Sequence, residues 1–362
     1  VEFNCFGDYD GGRMTRLLQI ASVRMQTVSG TVWSAQPERG STVTDDSFSI
    51  CSRRDFLGTM ALAAASVGSL AAADPVDTII DTHTHFFDPT RKDGPPWPGK
   101  GDKLLYRAVL PEEFQTLTKP YHVAGTVVVE ASPRVEDNQW ILDLAERNPF
   151  IVGLVGNLPV GTPEFAGHLS RFAKNPRFRG LRVNHGALKA GLENKAYLDD
   201  IRRLAEHDLE LDINGGPDML AEIAKVAKLV PELRIVINHV ANVRIDGKAP
   251  PAEWVAGMQA CAAFDNVFCK VSALVEGARR EDQLSTADVQ FYVPVLDVVW
   301  KAFGEDRLVY GSNWPVSLRF APYPQVQQIA SDYFRTKGRV AYEKFFWKNS
   351  IAAYKWPAQK QV

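Results

Sequence analysis

Eight short apolar, β-rich runs punctuate the chain between residues 78 and 310, and they constrain the fold more than any other feature. They cover 78–81, 125–129, 150–155, 178–183, 210–213, 234–238, 267–271 and 308–310. Stretches with apolar residues at helical spacing lie between them, at 138–148, 197–207, 218–230 and 251–264. The runs are too continuously apolar to leave one face wet, as in a parallel sheet covered by helices. Eight such β-α units within residues 74–362 predict a single (β/α)8 barrel. An open doubly wound sheet is the alternative, but no Gly-x-Gly-x-x-Gly follows an early strand.

The first 73 residues read differently. Arg53-Arg54 and Phe56-Leu57 precede an apolar stretch of small residues from Met60 to Leu70, then Ala71-Ala72-Ala73. This order is that of a twin-arginine export signal over 52–73 with an A-x-A cleavage site before Asp74. The apolar stretch is shorter than the ~20 residues a membrane span needs. Residues 1–51 show no clear periodicity and read as a mis-called or disordered leader. The expected mature protein is periplasmic and not inserted in a membrane. It keeps Cys261 and Cys269, which read as free buried thiols, not a disulfide framework. With 41 Lys+Arg against 43 Asp+Glu, nothing marks a nucleic-acid partner. A small-molecule substrate is expected.

In a barrel the C-terminal strand ends form the active face, so polar residues there are the site candidates. The first run leads into His83 and His85, whose spacing of two sends both imidazoles to one side of a strand. Two neutral imidazoles so placed can share a divalent metal. The second run ends at Glu130, and the fourth brings Arg182, Asn184 and His185. The fifth brings Asp212 and Asn214, the sixth Asn238 and His239, and the seventh Lys270 and Ser272. The eighth ends at Ser312 and Asn313. Arg182 and Lys270 each read either as a clamp for an anionic substrate or as half of a structural ion pair. His185 is a further substrate-contact candidate, whereas His122, His168 and His207 fall away from strand ends. The segment 86–110 is long and stiffened by Pro89, Pro95, Pro96 and Pro98 around Trp97. It reads as a lid carrying Trp97 to the substrate or as a solvated surface loop.

Taken in order, "DTHTHFFDP", "PPWP", "VVVEASP", "FRGLRVN", "INHVANV", "CKVSAL", "GSNWPVS" and "NSIAAYKW" resemble the amidohydrolase superfamily. The closer resemblance is to its amidohydrolase-related (amidohydrolase 2) branch of sugar-lactone and pyrone-dicarboxylate lactonases. The resemblance implies a (β/α)8 barrel with a hydrolytic site, His83 and His85 as the first-strand metal pair and His239 as the sixth-strand histidine. Asn313 stands where the family usually carries an aspartate. No lysine closes the fourth strand and Asn214 replaces a fifth-strand histidine, so at most one divalent metal is implied, zinc foremost, with a metal-free site as the alternative. Glu130 stands where the lactonases would carry a neutral amide.

The expected reaction is water attack on a small lactone or related ester, one that could be sugar-derived. An amide cannot take the water proton, so Glu130, ahead of His239, is the expected base. Two other readings stay open. One is a metal-dependent decarboxylase of a small unsaturated or aromatic acid. The other is a degenerate barrel that binds sugar lactones or acids without turnover.

Overall fold

The computed structural model describes residues 78–279 and 284–357. The leader and the twin-arginine segment lie outside the described residues. Eight strands run in the order of the chain: β1 Ile79–Thr84, β2 Val123–Val129, β3 Ile151–Gly156, β4 Phe178–Asn184, β5 Glu210–Asn214, β6 Arg234–Ile237, β7 Val267–Val271 and β8 Leu308–Tyr310. Each pairs in parallel with the next, so the sheet order is β1 to β8 without a crossover out of turn. All eight apolar runs of the sequence are strands. The four helical stretches are helices at Val135–Arg147, Lys195–Glu206, Leu220–Leu229 and Ala252–Ala262. The result is a nearly closed eight-stranded parallel barrel, as the (β/α)8 reading predicts.

The continuous apolarity has the expected cause. β3 and β7 are buried at every residue, since helices cover the outside and side chains fill the inside. Ile80, Val127, Val152, Val236, Phe268 and Val309 form one cluster with Tyr354 and Trp356 from the end of the chain. That C-terminal segment closes the floor. Arg179 and Arg234, at the starts of β4 and β6, donate to the carbonyls of Lys355 and Ala353 at 3.0 and 2.8 Å. Cys261 and Cys269 are buried free thiols. Among the described residues no helix is long and apolar enough to cross a membrane.

β8 is only three residues long, so the seam to β1 is closed mainly by the chain beyond it. The Asn313 amide NH donates to His83 O at 2.9 Å, and the His85 NH donates to Trp314 O at 2.9 Å. Thr82 Oγ1 donates to Tyr310 O at 2.6 Å. Asp81 ties the seam from within: its Oδ1 accepts from the backbone NH groups of His83 (3.1 Å) and Ser312 (2.9 Å). Burial pushes the Asp81 carboxyl up to about 6, against the pull of the Ser312 hydrogen bonds. Removing the carboxyl strands two buried NH groups, each worth about 1–3 kcal/mol when unsatisfied. Asp81→Ala is therefore expected to lower unfolding free energy by about 2–5 kcal/mol in a denaturant titration. Asp81→Asn, which keeps the accepting oxygen, should lose much less.

Candidate active site

His83, His85 and His239 meet at the C-terminal mouth of the barrel. The ring centroids of His83 and His85 are 5.0 Å apart, and those of His83 and His239 are 4.4 Å apart. Close packing at the β1–β8 seam makes room for them. A Cβ at Gly311 would stand 2.7 Å from the Cβ of His83, so the glycine of "GSNWP" lets β8 run against the histidine strand.

Three strands leave the barrel through left-handed backbone. His239, Ala273 and Asn313, following β6, β7 and β8, have φ of 57°, 52° and 58°. Val240, Ala241 and Asn242 continue the left-handed turn after His239 at 46°, 57° and 46°. Such residues cost roughly 1–2 kcal/mol each. The turn is pinned by its surroundings: Trp254 Nε1 donates to Val240 O at 3.0 Å, and Asn242 Nδ2 to Gly215 O at 2.9 Å. Strain of this kind concentrates at functional sites, where it aims side chains that a relaxed turn would point elsewhere.

Each histidine is held by its Nδ1. His83 Nδ1 lies 3.2 Å from Lys270 Nζ, His85 Nδ1 lies 3.0 Å from Val129 O, and His239 Nδ1 lies 2.8 Å from Ser272 Oγ. Burial is the main cause that drives all three pKa values down, His85 to about 3, so the rings are neutral at neutral pH. His85 faces an accepting oxygen at each nitrogen, Val129 O at Nδ1 and Asn313 Oδ1 at Nε2 (3.2 Å), so its one proton is donated to one of these two. An ammonium only donates, so His83 accepts at Nδ1 and carries its proton on Nε2. That Nε2 is buried with no hydrogen-bond partner in the protein. The site thus holds one unspent donor, His83 Nε2–H, beside His85.

The metal reading meets this donor set at one point. A ligand must offer a lone pair, and His83 Nε2 offers a proton as long as Lys270 faces Nδ1. Among the described residues no group of three or more His, Cys, Asp or Glu side chains stands close enough to hold a cation. The three histidines therefore do not fit a three-imidazole metal centre in this arrangement.

Lys270 is corrected from a possible substrate clamp to an internal brace. It is fully buried and paired with Asp212 at 2.6 Å, and Tyr354 Oη donates to the same carboxylate at 3.1 Å. Its long stem runs through the barrel interior to His83, so its ammonium is engaged by Asp212 and His83.

Glu130 and Arg182 form a pair at the rim: Arg182 Nε donates to Glu130 Oε1 at 2.8 Å and its Nη2 to Glu130 O at 2.7 Å. Both are partly exposed, at 18% and 15%. His185 stands apart on the helix after β4, between the carboxylates of Asp218 and Glu222 at 3.3 Å each. Trp97 lies edge-on to His85 at 6.0 Å and against Phe87 at 5.5 Å. The loop carrying it is anchored, not free. Phe87 and Val109 pair at its base, Arg134 donates to Gly94 O at 2.6 Å, and Asp102 is paired with Arg319. The loop is thus a surface loop with exposed residues such as Lys92, Pro96 and Lys100 that is tied to the barrel at these points and carries Trp97 to His85.

One acid was not singled out from the sequence. Glu276, on the short helix Leu274–Gly277 after β7, is only 4% exposed and accepts from Asn313 Nδ2 at 2.9 Å. In "SALVEGA" it lies several residues past the strand end, and nothing in that stretch signals the left-handed step at Ala273 that turns it inward.

The Amidohydrolase family model matches residues 80–356, which span the whole barrel. The chain belongs to the amidohydrolase family. An L-fucono-1,5-lactonase of Burkholderia ambifaria is 32% identical over 244 residues, covering 66% of this chain and 80% of that protein. An L-fucono-1,5-lactonase of Burkholderia multivorans is 26% identical over 75% of this chain and 94% of its own length. A crystal structure of an amidohydrolase from Burkholderia multivorans with bound zinc superposes with a TM-score of 0.70 at 24% identity, covering 77% of this chain and 100% of that one. Family and relatives make this amidohydrolase a hydrolase.

Lys270→Met separates the brace from a substrate clamp. Losing the brace leaves Asp212 buried and unpaired, so the amidohydrolase should lose about 3–5 kcal/mol of stability in urea. A clamp would instead raise KM and leave stability unchanged.

Proposed function

We propose that the chain hydrolyses a small sugar-derived lactone at the C-terminal mouth of the barrel. The observation that carries this reading is the buried, unpartnered His83 Nε2–H. A fixed donor without a partner is suited to a carbonyl oxygen that gains negative charge as water attacks. The lactonase names of the relatives supply the substrate class.

In this reading His83 Nε2–H polarises the lactone carbonyl and stabilises the tetrahedral oxyanion. Its direction is held by Lys270, itself held by Asp212, so no reorganisation is needed during the reaction. Water attacks the carbonyl carbon, the ring C–O bond breaks, and the open hydroxy acid leaves. His239, fixed by Ser272, stands beside His83 with ring centroids 4.4 Å apart. Trp97 walls the pocket on the side of the long loop. The Arg182–Glu130 pair at the rim offers both a donor and an acceptor for sugar hydroxyls. In this reading Glu130, ion-paired with Arg182 at the rim, takes part in binding.

No step is routed through a metal, because His83 presents a proton where a ligand lone pair is needed. The decarboxylase reading finds no carboxylate anchor among its own candidates, as Arg182 is paired with Glu130 and Lys270 with Asp212. Residues 52–73 are proposed to export the protein by the twin-arginine route to the periplasm. Cell fractionation of the full chain and of an Arg53→Lys/Arg54→Lys variant tests that; equal periplasmic amounts would sink it.

A panel of aldonolactones of sugars and deoxysugars, followed by proton release, tests the activity. Turnover of at least one is expected, and none with any member would refute the lactonase reading. His83→Ala should lower kcat by about 10²–10³ with KM little changed, the usual cost of an oxyanion donor. Dialysis against a chelator, with elemental analysis of the dialysed protein, should leave activity unchanged. A loss of activity restored by added zinc would reinstate the metal centre.

A further inference from the structure

The eighth-strand corner holds an amide where the reaction needs a group that can take a proton. Following the Asn313 side chain outward resolves this. Its amide is shared between two neighbours, with Oδ1 at 3.2 Å from His85 Nε2 and Nδ2 at 2.9 Å from Glu276 Oε1. The other carboxyl oxygen, Glu276 Oε2, is buried and has no partner in the protein. Among the described residues no ion pair to this carboxyl is found, and a buried carboxyl left half unsatisfied is costly to the fold.

The carboxyl is also firmly placed. Ala273 enters its helix through left-handed backbone, and Ile245 NH donates to Gly277 O at 2.9 Å. A Cβ at Gly277 would stand 2.9 Å from Val243 O, so the helix packs directly against the chain leaving the His239 turn. Glu276 is thereby bonded to the β8 corner and packed beside the β6 corner.

We infer that Glu276, positioned by Asn313, is the proton-accepting carboxylate of this site, displaced from the β8 strand end to the turn after β7. The inference rests on the hydrolytic reading above. As the water oxygen bonds to the lactone carbonyl carbon, one water proton passes to Glu276. As the ring C–O bond breaks, the alkoxide leaving group takes that proton back, and the carboxylate is restored. Water is the only co-reactant, and the product is the hydroxy acid. Burial raises the Glu276 pKa to about 7, opposed by the hydrogen bonds from Asn313 and its own backbone NH. His239, on the adjacent turn, is neutral. A base with that pKa works when deprotonated, so kcat/KM should rise with pH up to about 7.

The test uses Glu276→Gln, Glu276→Asp and Asn313→Asp in the full chain, on a lactone that the wild type turns over. Gln keeps shape and a hydrogen bond to Asn313 but cannot accept a proton. Glu276→Gln is expected to fold with unchanged thermal stability or better, to lose about 10²–10⁴ in kcat with KM nearly unchanged, and to lose the acid limb of the pH profile. Glu276→Asp should recover part of the rate. A Glu276→Gln protein with wild-type kcat and the same acid limb would overturn the inference. So would a large gain in Asn313→Asp, since it would mean that the corner lacked a base. Should the wild type turn over no lactone, the function reading fails, and infrared spectroscopy decides the rest. A protonated-carboxyl band that titrates near neutral pH and vanishes in Glu276→Gln supports a proton-exchanging Glu276, and its absence refutes it.

Discussion

A lysine ammonium with no access to water organises this site from below. Lys270 spans the inside of the barrel, ion-paired to Asp212 at one side and 3.2 Å from His83 Nδ1 at the other. Burying a charge is tolerable only when it is paired and hydrogen-bonded. The partners of Lys270 are therefore not free to rearrange. Asp212 is further held by Tyr354 from the C-terminal plug, so the floor of the barrel and the tautomer of a mouth histidine belong to one network. Burial and the neighbouring Asp212 charge push the carboxyl of Glu210, two residues before Asp212, well above the usual carboxylate range, which disfavours a second negative charge in the interior.

The mouth is shaped by backbone as much as by side chains. The exits from β6, β7 and β8 all pass through left-handed residues, and these are the corners that present His239, Glu276 and Asn313. A relaxed exit would carry each side chain away from the axis. The energy cost is met by packing around Trp254, by the Asn242 contacts and by the seam bonds between β1 and the chain after β8. Asn313 suits its corner on two counts. Asparagine tolerates left-handed backbone better than most residues, and its amide can face a histidine and a carboxyl at once.

Within the amidohydrolase family this arrangement distributes roles over more strands than the first histidine pair alone would suggest. His83 comes from β1, its partners Lys270 and Asp212 from β7 and β5, and the buried Glu276 from the turn after β7. The rim pair joins β2 to β4, and the long loop after β1 supplies the aromatic wall. Candidates chosen one strand end at a time could not show these links, because each lies between residues far apart in the chain: His83 and Lys270, Glu130 and Arg182, Asn313 and Glu276.

The sequence by itself determined the barrel, the direction of its strands and the gathering of His83, His85 and His239. Those properties follow from local periodicity and from the rule that parallel strands place their C-terminal ends on one face. It also placed Asn313 at the eighth corner and marked it as the wrong group for a base. Only the tertiary structure decided which polar strand-end residues face each other. Lys270 read as a clamp or as half of an ion pair and Glu130 as the expected base, and both are ion-paired in the fold. Glu276 was not singled out and is a buried acid. Pairing and protonation depend on distance and burial across the barrel, and those are properties of contacts between distant segments that no local pattern encodes.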